Sequence, residues 1–342
     1  MRQRAKIIKK WLLFGALLLA VCLCGCFRME EVGQETDSLT PVDENLIVVG
    51  VSQVGSESVW RTANTASLQK VFTKENGYFL IFDNARQKQE NQIKALRSFI
   101  SQRVDYIVFS PITEDGWDTV LLEAKEAGIP VILIDRRVKT SDDSLYTCWI
   151  GSDFTREGRT AGKTLSRYLI KQGRQNDPIR IAVLQGTEGA TATIGRTEGF
   201  NEVAKEHENW LILEQADAEF TTAKGREEME RLLRRYKDID VLISQNDDMT
   251  FGALEAIADA GKTAGTHGDI MVFSFDAVRN ALKLVAQDVI TADMECNPNQ
   301  GELVGQVIEK LERGEAVAKL YFVPEQVFTK KNAGAALEDR AY

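Results

Sequence analysis

Residues 50–61 read GVSQVGSESVWR, where an apolar run stops at Ser52 and the chain then sets out Glu57, Trp60 and Arg61. A carboxylate, an indole and a guanidinium placed this close suit hydrogen bonding to a small polar molecule that also has an apolar face. The plain alternative is a strand, a polar turn in which Ser56 caps a helix, and Trp60 buried as core. Groups of the same type follow later apolar runs. VFSP carries Ser110, ILIDRR carries Asp135, Arg136 and Arg137, and VLQG leads through a loop to Arg196. LISQNDD carries Gln245, Asn246, Asp247 and Asp248, and VFSFDA carries Asp276. Asp and Asn accept or exchange hydrogen bonds, Arg offers a rigid fork of donors, and Trp covers the apolar face of a ring. Glu57, Asp135 and Asp276 balance Arg61, Arg136 and Arg196 in charge. That balance favours a neutral, polyhydroxylated ligand such as a sugar over a phosphate or carboxylate.

Other chemistries fit less well. GTEGATATIG (186–195) lacks the Lys-Ser/Thr ending of a phosphate loop, and no GxGxxG fingerprint is present. The acids could be imagined as a glycosidase pair, but their cationic partners are expected to hold them ionised, and a general acid needs a raised pKa. QNDDMTFGALEAI lacks calcium-loop spacing, so Asp247 and Asp248 are expected to cap a helix. No catalytic residue is expected, and no cofactor.

The elements that must position these groups come from the hydropathy pattern. Apolar runs at 46–51, 78–82, 104–109 and 129–134 read as buried strands, and a second series follows at 179–184, 210–214, 239–243 and 270–275. Between them lie helix-period segments such as 87–102, with Ile93, Leu96, Phe99 and Ile100 on one face. Strand and helix alternating at this spacing imply parallel sheets with right-handed crossovers. The pattern running twice implies two similar α/β domains. In such sheets ligands bind beyond the carboxyl ends of the strands, where all the polar groups named above fall.

Residues 1–25 open with five basic residues and no acid, followed by an apolar run from Trp11 to Leu23 ending in LCGC. The run suits a signal peptide better than a membrane span. Leu23 and Gly25 before Cys26 resemble a lipobox, which makes Cys26 the expected lipidated residue and 26–45 a polar tether. An exported, membrane-anchored protein on the extracytoplasmic face is therefore expected. Losing the leader moves the formal charge from −9 to about −14, which disfavours nucleic-acid binding. A repressor would need an N-terminal helix-turn-helix, and 1–45 contains none. Beyond the leader and Cys26 only Cys148 and Cys296 remain, with His207 and His267 the only histidines, so neither a disulfide framework nor a metal site is expected.

From about Leu46 to Phe328 the chain resembles the periplasmic sugar-binding proteins of the ribose/galactose class, the solute receptors of ABC importers. GVSQVGSESVWR, QKQENQIKALRSFISQRVD, VILIDR, GRTEGF and QNDDM followed by GALEAI are similar to its galactofuranose-binding members. The resemblance implies two Rossmann-like parallel-sheet lobes joined by a three-segment hinge, the type I periplasmic-binding-protein fold. It places 46–149 with 297–324 in one lobe and 150–296 with 325–342 in the other. It implies ligand contacts from Glu57, Trp60, Arg61, Asp135, Arg136, Arg196, Asn246 and Asp276, with Phe220 as an aromatic facing the ring. Ser110 stands where relatives carry Asn. Replacing Arg196 by Ala is expected to abolish sugar binding with the fold intact. The implied partners are a neutral monosaccharide, galactofuranose or a related furanose or pentose, and an ABC permease in the membrane, with the protein a monomer. The alternative is a receptor that signals through a membrane histidine kinase. Cys148 and Cys296 both fall near crossing segments, so a hinge-restricting disulfide stands beside the plainer reading of two free thiols.

Overall fold

The structure, a computed structural model, describes residues 46–342; the leader, Cys26 and the tether lie outside the described residues. The first half of the body alternates β1 (Ile47–Gln53), α1 (Val59–Val71), β2 (Tyr78–Asn84), α2 (Gln89–Gln102), β3 (Tyr106–Phe109), α3 (Asp118–Glu126), β4 (Val131–Ile134) and β5 (Cys148–Gly151). The second continues with α4 (Phe154–Lys171), β6 (Ile179–Gln185), α5 (Thr191–Ala204), β7 (Trp210–Asp217), α6 (Thr222–Arg235), β8 (Val241–Ser244), α7 (Asp247–Asp259), β9 (Met271–Asp276), α8 (Arg279–Ala286) and β10 (Ala292–Glu295). The chain ends with α9 (Gly301–Glu312), β11 (Leu320–Phe322), β12 (Val327–Thr329) and α10 (Ala333–Ala336).

Two six-stranded sheets result, with orders β2-β1-β3-β4-β5-β11 and β7-β6-β8-β9-β10-β12. All neighbours pair in parallel except β12, which runs antiparallel to β10. Parallel sheets bury both faces under helices, so β3, β4 and β8 are fully buried and read as unbroken aliphatic runs rather than alternating ones. Each sheet is flanked by two apolar clusters, one on each face. The apolar stripe of α2 shows the fit: Leu96 and Phe99 are buried, and a Cβ on Gly50 of β1 would meet the Phe99 ring at 2.6 Å. Burying one such side chain contributes about 1.5–3 kcal/mol.

The chain passes between the sheets three times: after β5, after β10 where α9 returns to pack on α1, and between β11 and β12. No described helix is long and apolar enough to cross a membrane. Cys148 lies in β5 and Cys296 follows β10; both thiols are buried and free, so the hinge disulfide is not formed.

Candidate functional site

The carboxyl ends of both sheets face one void, lined by Glu57, Trp60, Arg61, Asp135, Arg136, Arg196, Phe220, Asn246 and Asp276 together with Ser58, Phe154, Ala192 and Cys296. Every residue expected from sequence to touch a ligand is therefore brought to one place, five from the first sheet's loops and four from the second's.

On the first side, α1 begins at Val59 with Ser58, not Ser56, as its cap, its hydroxyl accepting from the Arg61 amide. This puts Trp60 and Arg61 in the first turn and Glu57 just before it. Arg61 Nη1 pairs with Asp135 Oδ2 at 2.8 Å, and its Nε with Glu57 Oε1 at 3.3 Å. Burial works against the Arg61 charge, but Asp135 and Glu57 outweigh it and the net shift is upward. Ser110 supports this pair from beneath: its hydroxyl donates to Asp135 Oδ2 at 3.0 Å, and it does not line the void. Gln92 of α2 holds that loop, donating to the Ser110 carbonyl and accepting from the Ile112 amide. Trp60 donates its indole N–H to the Cys296 carbonyl at 2.6 Å, tying the first lobe's helix to a crossing segment. Arg136 Nη1 donates to the Ile112 carbonyl at 2.9 Å, and burial, followed by the charge of Arg61, pulls its pKa down to about 10.

On the second side, Arg196 in α5 is 3 % exposed. Its Nε meets Glu157 Oε2 at 2.7 Å, its Nη2 meets Asp276 Oδ1 at 3.3 Å, and its Nη1 donates to the Gln245 carbonyl. Asn246 caps α7, its Oδ1 accepting from the Met249 amide and its Nδ2 donating to the Phe220 carbonyl. The expectation that Asp247 and Asp248 cap this helix is corrected. Asp247 accepts from the Ser274 hydroxyl and the Val278 amide, while Asp248 reaches the opposite lobe and accepts from the Val59 amide at 3.3 Å. The Glu114 amide to the Gly189 carbonyl and the Arg137 amide to Thr191 Oγ1, each 3.0 Å, add further ties between the lobes. The Arg136 guanidinium lies 5.4 Å from the Phe220 ring centre across the cleft.

Three residues lining the void have left-handed backbone, Asp135 (φ 58°), Phe220 (φ 58°) and Asp276 (φ 102°). Each is pinned locally. The Asp135 amide donates to the Ile150 carbonyl and its own carbonyl accepts the Trp149 indole. Asn246 holds the Phe220 carbonyl. The two amides after Asp276 donate to Asp293 and Asp247, both buried carboxyls pushed up by burial.

Two polar atoms of side chains lining this void are buried without a hydrogen-bond partner, Glu57 Oε2 and Arg136 Nε, the latter with only the Asp135 carboxylate 3.9 Å away: one acceptor and one donor. Sequence reasoning missed Glu157 and Phe154, which follow a strand, β5, too short to stand out. It also erred on ionisation. Burial outweighs Arg196 and pushes Asp276 well above the usual carboxylate range, and it raises Glu157 too. At Asp276, then, pairing with an arginine is not by itself an argument against a general acid.

Residues 49–316 match the periplasmic binding protein domain. The galactofuranose-binding protein YtfQ of Escherichia coli is 37 % identical over 298 residues, covering 86 % of this chain and 91 % of that protein. A Mycobacterium smegmatis structure in complex with β-D-fucofuranose aligns with a TM-score of 0.82 at 42 % identity, covering 86 % of this chain and 95 % of that one. The binding component of the arabinose ABC transporter of Shewanella sp. ANA-3, bound to α- and β-L-arabinofuranose, aligns at 0.80 with 43 % identity and the same coverage of 86 % and 95 %. Such relatives are solute-binding proteins rather than enzymes, and that similarity, not carboxylate ionisation, sets catalysis aside.

Proposed function

Because the chain belongs to the periplasmic binding protein family, we propose that it captures a neutral monosaccharide in furanose form, galactofuranose or a close relative, and delivers it to an ABC permease. The observation that carries this reading is the void in which three acids and three arginines meet, with Trp60 and Phe220 in its walls and an acceptor and a donor at Glu57 and Arg136 that lack hydrogen-bond partners. A sugar hydroxyl both donates and accepts, so one ring satisfies both orphans. A phosphate or carboxylate would compete with protein acids for its cations, since Arg61 is held by Glu57 and Asp135 and Arg196 by Glu157 and Asp276. The similarity to proteins whose names and structures carry galactofuranose, fucofuranose and arabinofuranose supports a five-membered ring.

Contacts from both lobes explain how binding acts. The sugar bridges the two sides only when they are closed, so it stabilises the closed form, which the permease then recognises. Lipidation at Cys26 would hold the body at the outer face of the membrane, with 26–45 as its tether. The test is calorimetry and thermal shift with galactofuranose, arabinose, ribose, glucose and galactose. A ligand that binds only the folded state raises the melting midpoint. The expected result is a rise with one or more furanose-forming sugars; no rise with any of them overturns the reading.

A further inference from the structure

At the wall of the void that Cys296 lines, Glu157 in the first turn of α4, Cys296 after β10 and Glu325 between β11 and β12 converge, one residue from or beside each passage between the sheets. The Cys296 sulfur and one oxygen from each carboxyl lie within 4.8 Å of one another. Glu157 and Cys296 are 3 % and 2 % exposed, and the Glu325 side chain 5 %. Arg196 holds Glu157 Oε2, but Glu157 Oε1 is buried with no hydrogen-bond partner. Glu325 Oε1 accepts from the Ser152 hydroxyl and from the Asn297 amide at 3.4 Å. Its Oε2 has no hydrogen-bond partner and only the half-exposed Arg156, 3.7 Å away.

Two buried carboxyls, each with one oxygen lacking a hydrogen-bond partner, are costly beside a thiol unless positive charge joins them. Among the described residues the only buried guanidinium bonded to the cluster, Arg196, is shared with Asp276. A proton on a carboxyl would answer the charge but would not explain why three donors from separate segments converge. Arg196 and Ser152 each orient one of the acids, as outer partners orient metal ligands. A second cavity, lined by Glu157, Glu325, Glu295, Met294, Thr160 and Arg156, gives an acidic approach to Glu157 and Glu325 from the side away from the sugar void.

We propose that Glu157, Cys296 and Glu325 form a binding site for a divalent cation of the zinc type. One thiolate with two carboxylates suits a borderline cation; calcium and magnesium take six or more oxygens, and cuprous ion prefers sulfur throughout. Ligands in a tetrahedral zinc site stand roughly 3.3–3.6 Å apart, so loading draws the three atoms together by about an ångström. Ser152 Oγ, 3.3 Å from the sulfur, or a water completes the set. On binding, the thiol releases its proton to solvent and the sulfur–metal bond forms. The cation with Arg196 then offsets the thiolate and both carboxylates. The three donors lie far apart in the sequence, so no ligand spacing signals the site.

The test titrates the purified, chelator-treated protein with Cd²⁺ and follows the ultraviolet thiolate-to-cadmium charge-transfer band, with Zn²⁺ competing it away. One equivalent should saturate the band. Cys296→Ser should remove it, Cys148→Ser should keep it, and Glu325→Gln should weaken binding by at least the roughly 10- to 100-fold that loss of an outer partner costs. Circular dichroism of each variant confirms the fold. No band in the wild-type protein at excess Cd²⁺, as a cluster neutralised by a proton would give, overturns the proposal. So does a band that survives in Cys296→Ser. No sugar enters the experiment, so its outcome is separate from that of the proposed function.

Discussion

Replacing Arg196 by Met tests whether this residue is scaffold as well as cleft wall. Methionine keeps much of the volume between Phe154 and Phe275, whose ring centres lie 5.4 and 4.9 Å from the guanidinium. It removes the one cation that both Glu157 and Asp276 touch. Breaking a buried pair by deleting one partner costs about 3–5 kcal/mol, because the other charge is left uncompensated. At roughly 2 °C per kcal/mol for a body of this size, the midpoint should fall by roughly 6–10 °C. Both acids are already pushed up by burial, so they take protons readily once the arginine is gone, and the deficit should shrink as pH falls. The double variant Glu157→Gln/Arg196→Met removes one stranded carboxylate and should be more stable than the sum of its singles by about 1–3 kcal/mol. Melts of the wild type, both singles and the double at acidic and alkaline pH supply every comparison. An unchanged midpoint in Arg196→Met, or strictly additive losses, refutes the reasoning. The fold is still expected to stay intact, as read from the sequence, but at a stability lowered by the loss of two ion pairs.

Asp248 predicts a pH dependence. Burial pushes its carboxyl from an ordinary 3.8 up to about 6, partly countered by the Val59 amide. The native state then holds a proton that the unfolded chain has released, so this stabilisation is full below about pH 4 and lost as pH rises through about 6, at no more than about 1.4 kcal/mol per pH unit. Asp248→Asn should flatten that part of the melting profile, and an unchanged profile argues against the assignment. A Cβ on Gly186 would run into the Phe220 ring. Gly186→Ala should therefore cost about 1–3 kcal/mol of stability and weaken sugar binding by displacing the ring; wild-type affinity by calorimetry would count against Phe220 as a wall of the site.

The strands legible in the sequence are those that carry a long apolar run: LIVVGV became β1, YFLIF became β2 and IMVFSF became β9, even though β2 lies at the sheet edge with Phe79 exposed. Strands β5 (CWIG), β10 (ADME), β11 (LYF) and β12 (VFT) were missed. They are three or four residues long, and ADME carries two acids whose side chains serve the turn after β9 and the Arg340 ion pair. Glu57, Asp135 and Asp276 were legible because each follows a strong run. Glu157 was not, because it follows the crossing after β5. The role of Asp248 was hidden for another reason: its hydrogen-bond partner, Val59, sits on the other lobe, and a local pattern reads only caps and turns.

The left-handed backbone at Asp135, Phe220 and Asp276 bears on any attempt to re-engineer the cargo. Each such residue holds a conformation that costs an ordinary side chain about 1–2 kcal/mol, which Asn and Gly bear best and β-branched residues worst. A saturation library at these codons would thus be sorted by backbone tolerance as well as by recognition, with its β-branched members disfavoured before any sugar was tested. Ala192 and Phe154 line the same void from the first turns of α5 and α4, with no such backbone demand. Diversity at Ala192 samples pocket shape without that demand, which makes it the efficient handle for selecting a new specificity, whereas Phe154 also packs against the Arg196 guanidinium.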